Sequence, residues 1–168
     1  MATIAYVLTG VATLSMGVAG AAPGVEVGYT EDGVTIEYSP AVADIEVEEE
    51  TFPIDRALTK ETLTITCNCA ETSITNLGYA IAGAVGLTSP ILIGAAAAGV
   101  GGVLQKFSLK IVGIGPTGGF VRTILCPYVN PTGAVGMSYK KGEKTIVPMS
   151  FLAYKGDTAV DVCTITDA

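Results

Sequence analysis

Thr62-Leu63-Thr64-Ile65-Thr66-Cys67-Asn68-Cys69 decides the fold class. Apolar side chains at 63, 65, 67 and 69 alternate with polar ones at 62, 64, 66 and 68. Side chains on an extended chain point to opposite faces with a period of two, so this pattern predicts a strand with one buried and one wetted face. Cys67 and Cys69 then sit on one face roughly 6.5–7 Å apart. A disulfide needs Cβ atoms at about 3.5–4.5 Å, so the pair reads as free core thiols of a reducing compartment.

The same period recurs along the chain. Phe107, Leu109 and Ile111 alternate with Lys106, Ser108 and Lys110, and 160–166 alternates less cleanly. Further strands are expected at Thr3–Leu8, Val11–Met16, Val25–Tyr29, Val34–Tyr38, Val42–Glu50, Phe120–Cys126, Ala134–Tyr139 and Thr145–Tyr154. Turn signals such as Pro23-Gly24, Asp32-Gly33 and Lys141-Gly142 separate them. One helix interrupts the pattern at about 73–82: Thr72 or Ser73 can cap it, and Ile74, Leu77 and Ile81 recur at helical spacing. The expected fold is mainly β, a single domain over 1–168 built as an antiparallel sandwich or barrel with one flanking helix.

Composition narrows the function. The 168 residues are 49% hydrophobic and 15% charged, with a mean hydropathy of +0.54. An ordinary domain carries about 25% charged residues, so this surface is expected to be covered by partners. The chain has no histidine. That removes Ser-His-Asp and Cys-His catalysis and imidazole metal ligands. Gly113-Ile114-Gly115-Pro116 lacks the Gly-Lys-Ser/Thr ending of a phosphate loop and reads as a turn. The chain therefore reads as a non-enzyme with no cofactor. No Lys or Arg precedes Arg56, which argues against a signal peptide. The uncharged stretch between Glu71 and Lys106 is long enough to span a bilayer, but Ser89-Pro90 and repeated glycines break it. A buried helix plus a packed Gly/Ala loop is the expected reading, and no membrane span is expected.

Charge is segregated. The net charge is −7, with ten acids and no base in 1–55 against nine bases and six acids in 56–168. Such asymmetry suits head-to-tail association of copies and argues against a nucleic-acid reader with a basic patch. Asp44, Glu46, Glu48 and Glu50 would share one face of a strand. A solvated acidic strand fits that face, as does a channel wall or a contact with a basic patch of another subunit; a calcium site fits it poorly, because a regular strand spreads its ligands instead of converging them. A protruding hairpin is expected around 44–62, with an apolar tip at Phe52-Pro53-Ile54 followed by Asp55, Arg56 and Lys60. The stretch 145–154 is apolar on both faces: Val147, Met149 and Phe151 on one, Ile146, Leu152 and Tyr154 on the other. Either a neighbouring subunit or the helix near Leu77 must cover it.

In serial order these features resemble phage tail tube proteins, also called major tail proteins. The resemblance is carried by an N-terminal β segment at Thr3–Met16, then Val27-Gly28-Tyr29-Thr30-Glu31-Asp32-Gly33-Val34, then an acidic strand, a hairpin and a returning strand. Glu71-Thr72 with Asn76-Leu77 matches the family's helix start, and the stretch from Gly142 to Ala153 is similar to its penultimate strand. The likeness covers nearly the whole chain; the Gly/Ala-rich stretch from Gly94 to Leu104 is its less typical part.

The resemblance implies a structural subunit of the virion tail, assembled in the host cytoplasm. Hexameric rings would stack into a tube, with protruding loops locking ring to ring and DNA passing through without specific binding. Tape measure, tip or baseplate proteins and a possible sheath would be partners. Four lumen strands per subunit, taken from the family, give roughly 24 strands at about 4.8 Å each, on the order of 115 Å around. With strands tilted by about 35–45°, the backbone diameter is on the order of 45–50 Å, enough for a duplex. A lumen that repels phosphates would suit a conduit, and Asp44, Glu46, Glu48 and Glu50 are the candidates to line it or the seam between rings. A decoration or tip protein, or a membrane-embedded protein using 78–104, are the alternatives.

Overall fold

The structure is a computed structural model; it describes residues 10, 12–93, 104–115, 120–156 and 161–168. It is mainly β with one short helix. The strands are β1 (Thr13–Val18), β2 (Val25–Glu26), β3 (Thr30–Ile45), β4 (Asp55–Cys69), β5 (Ala84–Val85), β6 (Leu92–Ile93), β7 (Phe107–Ile114), β8 (Val121–Pro131), β9 (Val147–Ala153) and β10 (Thr164–Asp167); helix α1 spans Ile74–Ala80. Eight strands form one antiparallel sheet, seven of them in the order β2-β1-β7-β8-β9-β4-β3 with β10 beside β8, and β5 and β6 pair separately. β10 shares an edge of β8 with β9: β9 pairs with Val129–Pro131, and β10 with Arg122–Leu125.

A three-residue link shapes this sheet. β2 and β3 lie at its opposite ends, yet only residues 27–29 join them. In a flat sheet those ends would stand at least about 29 Å apart, six spacings of about 4.8 Å. The link can span at most about 14 Å. The sheet must therefore curl until its ends approach, which gives an open barrel that no rung closes between β2 and β3. The expected sandwich or barrel is realised as this curled, unclosed sheet.

The inside of the curl is the core. Leu14 and Met16 of β1, Ile65, Cys67 and Cys69 of β4, Leu109 and Ile111 of β7, Cys126 and Val129 of β8, and Val147, Met149 and Phe151 of β9 are buried together. α1 packs against β9, and its Tyr79 meets Phe107 edge-on at 5.0 Å. Ser73 caps the helix by accepting a hydrogen bond from the Asn76 amide at 3.2 Å, as the sequence pattern predicts. Burial and the neighbouring Cys69 push the Cys67 thiol up to about 12, so it stays protonated as a small apolar core residue.

Asn76 fastens the link. Its side chain is buried and donates to Val27 O at 2.8 Å, to Glu71 O at 2.9 Å and to Cys69 Sγ at 3.3 Å. Cys69 Sγ reaches Val27 O at 3.4 Å, and the Tyr29 amide donates to the Glu71 carboxylate at 3.2 Å. Gly28 has φ +87°, and a side chain there would strike that carboxylate.

Several strand expectations are corrected. Val34–Tyr38 and Val42–Glu50 belong to one strand ending at Ile45, because β4 offers a continuous partner from Cys69 to Asp55. Ala134–Tyr139 forms no strand, since β9 already occupies the adjoining edge of β8. Thr3–Leu8 and 94–103 lie outside the described residues.

Asn76→Ala removes the donors that satisfy two backbone carbonyls, so it is expected to lower unfolding stability by about 1–3 kcal/mol in denaturant titration. Asn76→Asp would place a buried carboxyl against the same carbonyl oxygens, which raises its folded pKa above the unfolded value of about 3.9. Its stability should therefore be greatest at low pH and fall as pH rises above about 4, the reverse of an ordinary paired carboxylate.

Candidate assembly surface

β3 and β4 pair from Thr30/Cys69 to Ile45/Asp55, but β9 accompanies β4 only as far as Leu63. Beyond that rung the two strands pair with each other alone. This arm carries seven further steps from Tyr38 to Ile45, about 24 Å at about 3.4 Å each, and then the tip. Every residue from 35 to 61 is exposed.

The register places apolar side chains where they should not be left wet. Directly opposite residues share a face, so Ile36 stands with Ile65, Tyr38 with Leu63 and Val42 with Leu58. Ile65 and Cys67 mark that face as the core face. It runs past the end of the core, where Tyr38 (55% exposed), Val42 (54%) and Leu58 (54%) are interleaved with Pro40, Glu61 and the Asp44–Arg56 ion pair. The opposite face carries Glu37, Ser39, Lys60, Thr62 and Thr64, and nearer the tip Ala41, Ala43, Ala57 and Ile45. A bulge at Thr59 shifts the register between Ala41 and Val42, and its hydroxyl donates to Ala41 O at 3.0 Å. Among the described residues, β3 has no strand on its outer edge and β4 none alongside 55–62. Open edges of this kind are templates for pairing.

The tip is residues 46–54, closed by the Ile54 amide donating to Ile45 O at 2.9 Å. Here the acidic strand expected from sequence is overturned. Only Asp44 stands on a strand, and the Arg56 guanidinium opposite pairs with it at 2.9 Å. Glu46, Glu48 and Glu50 lie in the tip loop, where a turn from Val47 to Glu50 spreads them into solvent. Carboxylates stacked along one strand face would repel, and the turn relieves that. Phe52, Pro53 and Ile54 share the tip, with Phe52 80% exposed. Asp55, Arg56 and Lys60 stand on β4. Tyr38 donates its hydroxyl to Glu61 at 2.6 Å, and this bond to a carboxylate raises the phenol above its ordinary pKa.

β9 divides the other candidate set. Val147, Met149 and Phe151 are buried inside the monomer beneath α1, so the chain itself covers them. Leu152 lies on the outer face and is exposed, while Ile146 and Tyr154 at the strand's ends are half-buried. Sequence reasoning missed the contact between Val27-Gly28-Tyr29 and Glu71/Asn76, whose members lie more than forty residues apart. It also missed the lysine loop that precedes β9. Among the described residues no group of three or more acids and thiols could hold a metal ion, and no helix is long and apolar enough to cross a membrane. A shallow cavity of about 240 Å³ lies on the outer face of β3, β4 and β9, lined by Glu31, Asp32, Asn68 and Ser150 among others. No protein-family model and no curated protein matches the chain.

The arm contributes no residue to the core. Replacing 39–62 with an Asn-Gly turn should leave the thermal unfolding midpoint of the dilute protein within a few degrees of wild type. A large drop would mean that the arm folds back on the body.

Proposed function

We propose that this chain is the structural subunit of a phage-type tail tube, which assembles into hexameric rings that stack into a hollow conduit for DNA. One observation carries the reading: the core face of the sheet runs out along a β arm where Tyr38, Val42 and Leu58 are exposed and, among the described residues, the backbone edges are open. An apolar face in water is costly at about 25 cal/mol per Å². Open strand edges beside it invite main-chain pairing. Other copies of the chain, present at high local concentration, can satisfy both needs at once.

The serial likeness to tail tube proteins supports the same reading, and the net charge of −7 suits a lumen that lets DNA slide. Tape measure, tip or baseplate proteins would meet the ends of the tube. No cofactor or catalysis enters the proposal.

Negative-stain electron microscopy of the purified chain at rising concentration tests it. Rings with a central hole, or tubes of stacked rings, are expected, and the variant lacking 39–62 should form neither. Compact particles without a hole at every concentration would overturn the tube and favour a decoration or tip protein.

A further inference from the structure

The arm tip and the loop before β9 lie at opposite ends of the molecule and carry opposite charge. Residues 44–56 hold Asp44, Glu46, Glu48, Glu49, Glu50 and Asp55 against the single base Arg56. The loop 132–146 holds Lys140, Lys141 and Lys144 against Glu143 alone. That loop is exposed from 136 to 144 and pinned to the base of the hairpin by the Lys144–Glu31 ion pair at 2.8 Å. From Glu31 to Ile45 along β3 is about 45 Å, at about 3.3 Å per residue. The arm therefore cannot reach the loop of its own chain. Each end also pairs charge with exposed apolar side chains: Phe52 and Ile54 at the tip, Met137 and Tyr139 in the loop.

Resting on the tube reading, we propose that the partner of the arm is a second copy of this chain, bound head to tail, with the acidic tip seated on the Lys140–Lys144 loop of the next copy. Among the described residues, only Arg56 pairs with a carboxylate of the tip region, whereas the next copy presents three lysines and an apolar seat. Tip-to-tip contact would set acid against acid, so like-charge repulsion fixes the direction of assembly. A contact between two different patches of the same molecule closes into rings or propagates as a stack, where a two-fold contact would stop at a dimer. The lysines already in ion pairs, Lys140 with Glu143 at 3.2 Å and Lys144 with Glu31, remain largely exposed and give up little on re-pairing.

A charge exchange tests this. One variant carries Glu46→Lys, Glu48→Lys, Glu49→Lys and Glu50→Lys; the other carries Lys140→Glu, Lys141→Glu and Lys144→Glu. All seven positions are exposed, so both variants should fold, which circular dichroism checks. Each alone should assemble at least about tenfold more weakly than wild type in sedimentation velocity. Their equimolar mixture should recover assembly, because the reversed tip of one variant then meets the reversed loop of the other, and the native tip meets the native loop. Wild-type assembly should also weaken as salt rises from about 0.05 to 0.5 M. If the wild type assembles and either variant alone assembles equally well, or the mixture stays unassembled, this contact is overturned while the tube reading stands. A wild type that never assembles overturns both.

Discussion

Three residues between β2 and β3 set the shape of the molecule. Because residues 27–29 must join the two ends of a seven-strand path, the sheet has no choice but to curl, and everything apolar on its concave side becomes core. Asn76 and Glu71 hold that link from the start of the helix, and Gly28 is the residue that lets the backbone pass close enough to be held. The helix is only seven residues long and would not persist alone. Its place is fixed by the Ser73 cap, the Asn76 bonds and the packing of Tyr79 on Phe107.

The same geometry leaves a surplus. β3 and β4 are about twice as long as β9, the neighbour of β4 in the sheet, and the core has no more length to offer them. Past Leu63 their inner face still carries Val42 and Leu58 among charged neighbours, and nothing among the described residues covers it. Residues such as Tyr38, Val42 and Leu58 on a wetted strand are an arrangement suited to contact between molecules. The acidic tip and the lysine loop lie at opposite ends and make the molecule polar along its strand axis.

Much of this was legible in sequence, and what was not has physical causes. The strand at 62–69 and the helix capped by Ser73 are local patterns, where side-chain period and a capping hydroxyl suffice. The acidic run misled because Asp44-Ile45-Glu46-Val47-Glu48 alternates as a strand does. Where the chain turns, however, is set by pairing with β4 and by repulsion between the carboxylates. β9 is apolar on both faces in sequence, and only its position under α1 shows which face the monomer itself buries. The Gly28–Glu71–Asn76 contact joins residues more than forty positions apart, so no local pattern announces it. The lysine loop looked like an ordinary turn until the fold placed it at the end opposite the acids.

The proposed assembly requires Tyr38, Val42 and Leu58 on the arm to be wet in a single copy and hidden by its siblings. Hydroxyl-radical footprinting of Tyr38, Phe52 and Leu58 in dilute and concentrated solution measures this most directly. The account predicts heavy labelling of all three in the dilute protein and strong protection once copies associate, while Leu152 on the outer face of β9 serves as a reference. Labelling of the arm that stays the same at every concentration, or protection already complete in the isolated monomer, would contradict it.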